Sequence, residues 1–394
     1  MAGLHVVIVP AWWPSPEEPI GGVFFVDYAL AYAEAGAKVG VVVPDLVSVR
    51  HLGRGTSIPW LPRAIEEDIG GVPVVRVRGL HTAFGRPGVQ MRRFRRWLRR
   101  GLAVYRDRHG SPDVLHAMCA IPSGWACTHL ADQLSDRVVV TEHTGPFSLV
   151  LSPKAGESYV QSALARAARV VAVSETLRAQ MLAAGINREI TVFGNPVAPT
   201  FATRAPASPG IRQASPLRVL FVGRMAPEKG VGELAEAAVS LGHSYEAQWH
   251  FVGDGPLTST VHARLASGGL ADRLHLHGNC ERAQVAELMS QSDFLVLPSY
   301  GETFGMAAVE ALCMGLPVVA TRGTAPAAFV SEDDGLLVDA GDVESLAAGL
   351  QTMRARLDTY DSAAIARRAR QRFSGESMAA QYAGLFRAVI GRGG

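Results

Sequence analysis

Only four cysteines occur in the 394 residues (Cys119, Cys127, Cys280 and Cys313), and no two of them form a C-x-x-C pair. That scatter excludes a disulfide framework or a cysteine zinc site and fits reduced, mostly buried thiols. Charge is also scarce. Charged residues make up 19% of the chain and the net charge is +2, so bulk electrostatics gives no reason to expect a nucleic-acid binder. No apolar run approaches the ~20 residues of a membrane-spanning helix. The opening Met1-Ala2-Gly3-Leu4-His5 lacks the basic segment and long apolar core of a signal peptide. These absences lead us to expect a cytoplasmic protein, peripheral at most to the inner face of the membrane. What is present is apolar material: 48% of the residues are hydrophobic, in a chain long enough for two domains with separate cores.

Short β-branched runs alternate with longer amphipathic stretches, the pattern of βαβ units and parallel sheets. The runs predict strands at residues 4–9, 39–43, 72–77, 114–116, 138–141, 170–173 and 190–193. A helix is expected over 23–35, closed by Gly36. From Asn195 to Pro216 five prolines (Pro196, Pro199, Pro206, Pro209 and Pro216) stand among Ala, Ser and Thr, which marks an exposed connection. Strands then resume at 217–222, 249–252, 274–277, 294–297 and 317–320. The fold expected is α/β, with two Rossmann-like domains facing a central cleft, over residues 1–200 and 201–375. A last helical stretch, 377–390, closes the chain and is free to pack back on either domain, the N-terminal one being the expected side.

Three loop regions carry the chemistry. In Ser299-Tyr300-Gly301-Glu302-Thr303-Phe304-Gly305-Met306, a strand runs into a loop bearing Glu302 and then a helix carrying Glu310. Free amides at a helix start, with the helix dipole behind them, suit an anion. Were the stretch fully helical, the two carboxylates would lie roughly 12 Å apart. That is too far for a retaining-glycosidase pair but suits gripping the two ends of a long ligand. A solvated Glu302 and an ion-paired Glu310 fit the residues equally well. Gly223-Arg224-Met225-Ala226-Pro227-Glu228-Lys229 places an Arg fork and a Lys charge before another helix, a credible diphosphate site. Gly253-Asp254 closes the next strand at the same sheet edge, where α/β proteins bind ligands. Gly21-Gly22, after Ile20, opens the first helix of the N-terminal half and lets backbone approach a ligand.

Taken together, these residues resemble the family 4 retaining glycosyltransferases of the GT-B fold. The similarity runs from Gly21-Gly22 through Arg224, Lys229, Glu302 and Glu310 to Gly335-Leu336-Leu337-Val338. It also takes in Thr141-Glu142-His143, Val173-Ser174-Glu175 and Asn195-Pro196-Val197. The resemblance implies that Arg224 and Lys229 hold a diphosphate, Glu302 the donor sugar, Glu310 the ribose, and backbone near Cys280 the base. Thr303, Phe304, Gly305 and Met306 belong to the same donor site. It implies a hexosyltransferase that takes a UDP- or GDP-sugar and needs no cofactor or metal, and no Asp-x-Asp occurs in the chain. The acceptor would be a sugar, a lipid-linked sugar or a small molecule, in polysaccharide, glycolipid or other glycoconjugate synthesis. Where the family often carries a second histidine near the reacting sugar, this chain has Met118, which gives a sugar hydroxyl no useful hydrogen bond. His116, two residues earlier and in the sugar or acceptor vicinity with Met118, is read as turned to the opposite face by alternation and as more often a structural histidine. His143 is the better polar candidate in the N-terminal half, with Glu302 the other expected catalytic residue. Two rival readings stay open: a sugar-nucleotide epimerase on the same scaffold, or a non-catalytic sugar-nucleotide-binding protein.

Residues 91–100 add a basic stripe. Met91, Phe94, Leu98 and Leu102 form one helical face, with Arg92, Arg93, Arg95, Arg96, Arg99 and Arg100 around the rest and Trp97 near the edge of the arginine sector. Such a helix either packs its apolar face on its own sheet or lies on an anionic membrane.

Overall fold

A computed structural model describes residues 1–15, 18–19, 21–48, 63–81, 87–130, 133–151, 155–205 and 216–391. They form two compact units, Met1–Pro196 with Gly375–Gly394, and Val197–Ser374. Ile20 and the connecting stretch 206–215, with Pro206 and Pro209, lie outside the described residues.

The first unit is built on β1 (His5–Val9), β2 (Lys38–Ser48), β3 (Arg63–Ile69), β4 (Val72–His81), β5 (Val114–Met118), β6 (Val138–Glu142), β7 (Arg169–Ala172) and β8 (Thr191–Val192). Their order in the sheet is β3-β4-β2-β1-β5-β6-β7-β8. Central strands covered on both faces must be apolar throughout, which is why they read as unbroken Val and Ile runs. Val6, Val7, Ile8 and Val9 are all 0% exposed. The sheet is parallel except for β3, which runs antiparallel on β4. No strand was expected there. β3 reads Arg-Ala-Ile-Glu-Glu-Asp-Ile, an edge strand whose charged side chains hide the usual signal.

Helix α1 (Val23–Glu34) and the terminal helix Gly375–Ile390 pack together in this unit, burying Tyr28, Tyr32, Tyr382 and Phe386. Each such side chain contributes about 1.5–3 kcal/mol on burial. Helix α2 (Pro87–His109) lies on β2 and β4.

The second unit holds β9 (Leu217–Val222), β10 (Ala247–Val252), β11 (Leu274–Leu276), β12 (Phe294–Leu297), β13 (Val318–Thr321) and β14 (Gly335–Val338), ordered β11-β10-β9-β12-β13-β14. All pairs are parallel. Counted within the unit this is the 3-2-1-4-5-6 order of a doubly wound sheet. The strand sequence reverses between β9 and β12, and the carboxyl ends of these two strands mark the place where such sheets take ligands. β14 was not expected as a strand; Gly335-Leu336-Leu337-Val338 is a short apolar run with a single β-branched residue, which periodicity alone does not assign.

Candidate functional site

Four loops meet at that reversal point, and their backbones are bonded to one another. Tyr300 N donates to Glu228 O at 3.0 Å, joining the loop after β12 to the loop after β9. Met225 N donates to Asp254 O at 3.0 Å and Leu257 N to Met225 O at 2.9 Å, adding the loop after β10. Gly253 N donates to Gly278 O at 2.7 Å, adding the loop after β11. Two glycines allow this closeness. A Cβ on Gly253 (φ +121°) would stand 2.0 Å from Gly223 O, and one on Gly230 (φ +64°) 2.0 Å from Pro298 O. Any side chain there would separate the loops, so the site is held in shape by main chain rather than by mobile side chains.

Glu302 sits at the centre. Its Oε1 accepts from Lys229 Nζ at 2.6 Å and from Ser299 Oγ at 3.0 Å, and its side chain is 12% exposed. The structure therefore brings together two of the residues singled out in the sequence and adds a third, Ser299, which is fully buried. The only sequence signal for Ser299 was a hydroxyl two residues past a strand end. Arg224 is far more open, its side chain 66% exposed and 3.5 Å from Glu228. A guanidinium so solvated remains able to swing toward an anion.

Helix Met306–Cys313 begins at Gly305, whose φ is +88°. Residues 301–305 are not helical, so the roughly 12 Å spacing of Glu302 and Glu310, which assumed one continuous helix, does not carry over. Glu302 precedes the helix by four residues, and Glu310 is half-buried in its second turn. The first amides of the helix have no partner within it and are directed away from its body. Phe304 is turned inward against Phe329 and Phe373, with ring centroids 6.0 and 5.6 Å away, so a ligand would meet its backbone rather than its ring. Thr303 and Met306 are half-buried beside it. Asp254 is an exposed loop residue whose Oδ1 accepts from Gly255 N and Thr258 Oγ1, and these bonds hold its carboxyl below the usual range. That pattern makes it a clasp for the loop. Cys280 is half-buried in the loop after β11.

In the first unit, Gly22 caps α1 with a φ of +77°. The first turn of α1 lays Phe24 and Phe25 against His143 at the end of β6, with centroids 5.3 and 5.1 Å away, and Tyr28 adds a third ring at 5.8 Å. His143 is 9% exposed, and neither ring nitrogen makes a hydrogen bond of good geometry. Burial pushes its pKa down to about 3, with Asn195 pulling weakly the other way. A group whose pKa lies so far below 7 is a poor proton carrier at pH 7. What His143 has to offer is a neutral imidazole with unused hydrogen-bonding capacity.

The resemblance sets His116 and Met118 in the sugar or acceptor vicinity, with His116 read as more often structural, and the structure places both in the core at 0% exposure. His116 Nε2 meets Thr141 Oγ1 at 2.7 Å and its Nδ1 meets Tyr32 OH at 3.2 Å, while Thr141 Oγ1 also contacts Tyr382 OH at 2.9 Å. Both nitrogens are engaged, which makes His116 part of the bonding between the sheet and its two covering helices. Met118 belongs to the same apolar cluster.

Trp97, expected near the arginines, is instead 6% exposed within the packed face of α2. Arg92, Arg96, Arg99 and Arg100 are exposed, whereas Arg95 lies over Trp125, 5.2 Å from its ring, and Arg93 is half-buried. Among the described residues no helix is long and apolar enough to cross a membrane.

Residues 21–201 match the description of Glycosyltransferase Family 4, and residues 216–355 that of Glycosyl transferases group 1. A Bacillus subtilis glycosyltransferase ascribed to teichuronic acid biosynthesis is 28% identical over 259 residues, 62% of each chain. Across this and two further glycosyltransferase relatives, the chain spans between 43% and 62% of the relative's length. Among solved structures, sucrose-phosphate synthase from Thermosynechococcus elongatus superposes with a TM-score of 0.77 at 20% identity, covering 98% of this chain and 100% of that one. Anabaena HepE in complex with UDP and glucose superposes with a TM-score of 0.70 at 20% identity, with the same coverage. The fold is thus shared with these proteins, and with its two halves matched in turn, the chain belongs to the family 4 glycosyltransferases of the GT-B fold.

Proposed function

We propose that this protein transfers a hexosyl unit from a nucleoside diphosphate sugar to an acceptor hydroxyl, with retention of anomeric configuration and without a metal. The observation that carries the reading is the meeting of Lys229, Glu302 and the start of helix Met306–Cys313 at the β9/β12 reversal point. Lys229, the mobile Arg224 and the helix amides meet the charge that grows on the departing diphosphate, the main electrostatic task of such a reaction. Glu302 accepts from sugar hydroxyls and fixes the donor ring; Glu310 takes the ribose diol, and backbone beside Cys280 the base. His143 supplies a neutral hydrogen-bonding edge. The UDP held by HepE supports a nucleoside diphosphate as donor product. The four exposed arginines of α2 suit peripheral contact with an anionic membrane and an acceptor presented there.

Incubation with UDP- and GDP-hexoses labelled in the sugar, first without acceptor, tests the reading. A transferase releases labelled hexose slowly by hydrolysis, unchanged in anomeric configuration and indifferent to a chelator. An epimerised donor would overturn it in favour of the rival enzyme, and tight binding with no turnover under any acceptor would leave only a binding protein.

A further inference from the structure

Three histidines stack at the β11 edge of the second unit's sheet. His250 of β10 and His275 of β11 are partners in register, and their rings lie with centroids 4.5 Å apart at an angle of 13°. His277 stacks on His250 as well, at 5.3 Å and 14°. His250 Nδ1 and His277 Nε2 are in hydrogen-bond contact at 3.1 Å, whereas His275 Nε2 turns to Gln248 Oε1 at 2.6 Å. His277 opens the loop after β11, whose backbone beside Cys280 is read above as the seat of the base. Main-chain bonds join that loop to β10 and the residue after it: His277 N donates to Phe251 O at 2.9 Å and Gly253 N to Gly278 O at 2.7 Å. The His250–His277 bond adds a side-chain tie between the same two segments.

We propose that His250 is a positioning residue for the nucleobase: through His277 it holds the loop after β11 in the shape that receives the base, and it does so only while both rings are neutral. The proposal rests on the transferase reading for the base, and on the geometry alone for the hold on the loop. A bond between two imidazoles needs one bare nitrogen, and a proton on each ring leaves none. A proton on either ring also meets like charge. The groups acting on His250 are His275, His277 and Arg218 of β9, and His275 acts on His277; no carboxylate is among them. In the turn before β11, Arg273 is bonded to His243 O at 3.0 Å and Asp272 is exposed, and neither acts on the two rings. His250 Nε2 is enclosed without a partner, so a charged N–H there would go unanswered. Burial, then these neighbours, push His250 down to about 4 and His277 below its ordinary value. Once the loop has left, water reaches both rings and they return towards 6.5, so release takes up protons. The hold is therefore complete above pH 6.5 and weakens as the pH falls, by up to about tenfold per pH unit for His250.

Two readouts on the whole protein at pH 7.5 and pH 5.0 test this. One is hydrogen exchange at the His277 and Gly253 amides, corrected for intrinsic rates, without any ligand. The other is an NMR titration with uridine and guanosine, which carry no phosphate to titrate. In the unaltered chain, protection of both amides and affinity for the nucleoside that binds should fall about tenfold between the two pH values. His250→Gln, which keeps a neutral hydrogen-bonding group and cannot take up a proton, should hold both changes to about threefold or less. His277→Gln should do the same and carries the test if His250→Gln misfolds. A merely structural histidine would instead weaken binding equally at both pH values. Flat protection in the unaltered chain, an unchanged pH dependence in both variants, or loop release without loss of nucleoside affinity would each overturn the proposal. If neither nucleoside binds the unaltered protein at pH 7.5, the base reading fails, and the hold on the loop stands or falls on the exchange result alone.

Discussion

Glu302 accepts from two side chains that belong to different loops, so at the residue scale it is both an electrostatic partner and a geometric anchor. Glu302→Gln keeps the shape but gives up the charged acceptor. We expect kcat to fall on the order of a hundredfold, because placing the sugar is an orientation effect. UDP affinity should hardly change, since the product lacks the sugar; a large loss of UDP binding with turnover intact would reverse the roles of Glu302 and Glu310. His143 makes a different prediction. Its folded pKa of about 3 lies below the ordinary 6.5, so between those values the unfolded chain binds a proton that the folded chain does not. The stability it contributes is complete above pH 6.5 and declines as the pH falls, by about 1.4 kcal/mol per pH unit. His116 and His250, both also held low by burial, add to the same trend. Denaturant titrations at pH 6.5 and pH 5 should show a shallower loss in His143→Asn than in the unaltered chain; equal losses would mean that His143 is not buried as described. The charged residues of the site were legible in sequence because Arg224, Lys229 and Glu302 each stand between a strand end and the helix that follows it, where free amides suit an anion. Ser299 was not, because what distinguishes it is a buried hydroxyl aimed at Glu302, which only the fold creates.

At the element scale, periodicity served well where a helix has one wet face and one dry one. α2 was readable from Met91, Phe94, Leu98 and Leu102, whereas Trp97 stood at the edge between the two sectors, where the adjoining packing decides and here buries it. Its burial removes the aromatic from any membrane contact and leaves Arg92, Arg96, Arg99 and Arg100 to act by charge alone. Contact of that kind is screened by salt. The protein should co-sediment with phosphatidylserine-containing vesicles at low ionic strength and release in high salt. Replacing the four arginines by Gln should abolish binding without lowering the thermal midpoint. No sedimentation at low salt would mean that the stripe is only a solvated face. The non-helical stretch 301–305 shows the opposite limit. Its composition allows helix, and the left-handed Gly305 that delays the start cannot be read from a glycine's identity alone.

For the molecule as a whole, alternating buried strands and amphipathic helices made the doubly wound class legible, and the proline-rich stretch near residue 200 marked the passage from one unit to the next. Strand order was not legible. The 3-2-1-4-5-6 arrangement that sets β9 beside β12 arises from crossovers that no local pattern encodes, and the candidate site depends on it. That the last helix docks on α1 through Tyr382 and Phe386 was not legible, because an amphipathic helix shows that it must pack but not against which neighbour. The central claim is that a diphosphate is gripped at this reversal point, and calorimetry with UDP, GDP and their free nucleosides tests it most directly. One of the two diphosphates should bind far more tightly than its nucleoside. Lys229→Ala should erase most of that difference while leaving nucleoside affinity nearly unchanged. Equal affinities for diphosphate and nucleoside in the unaltered protein, or equal losses for both in Lys229→Ala, would contradict the account.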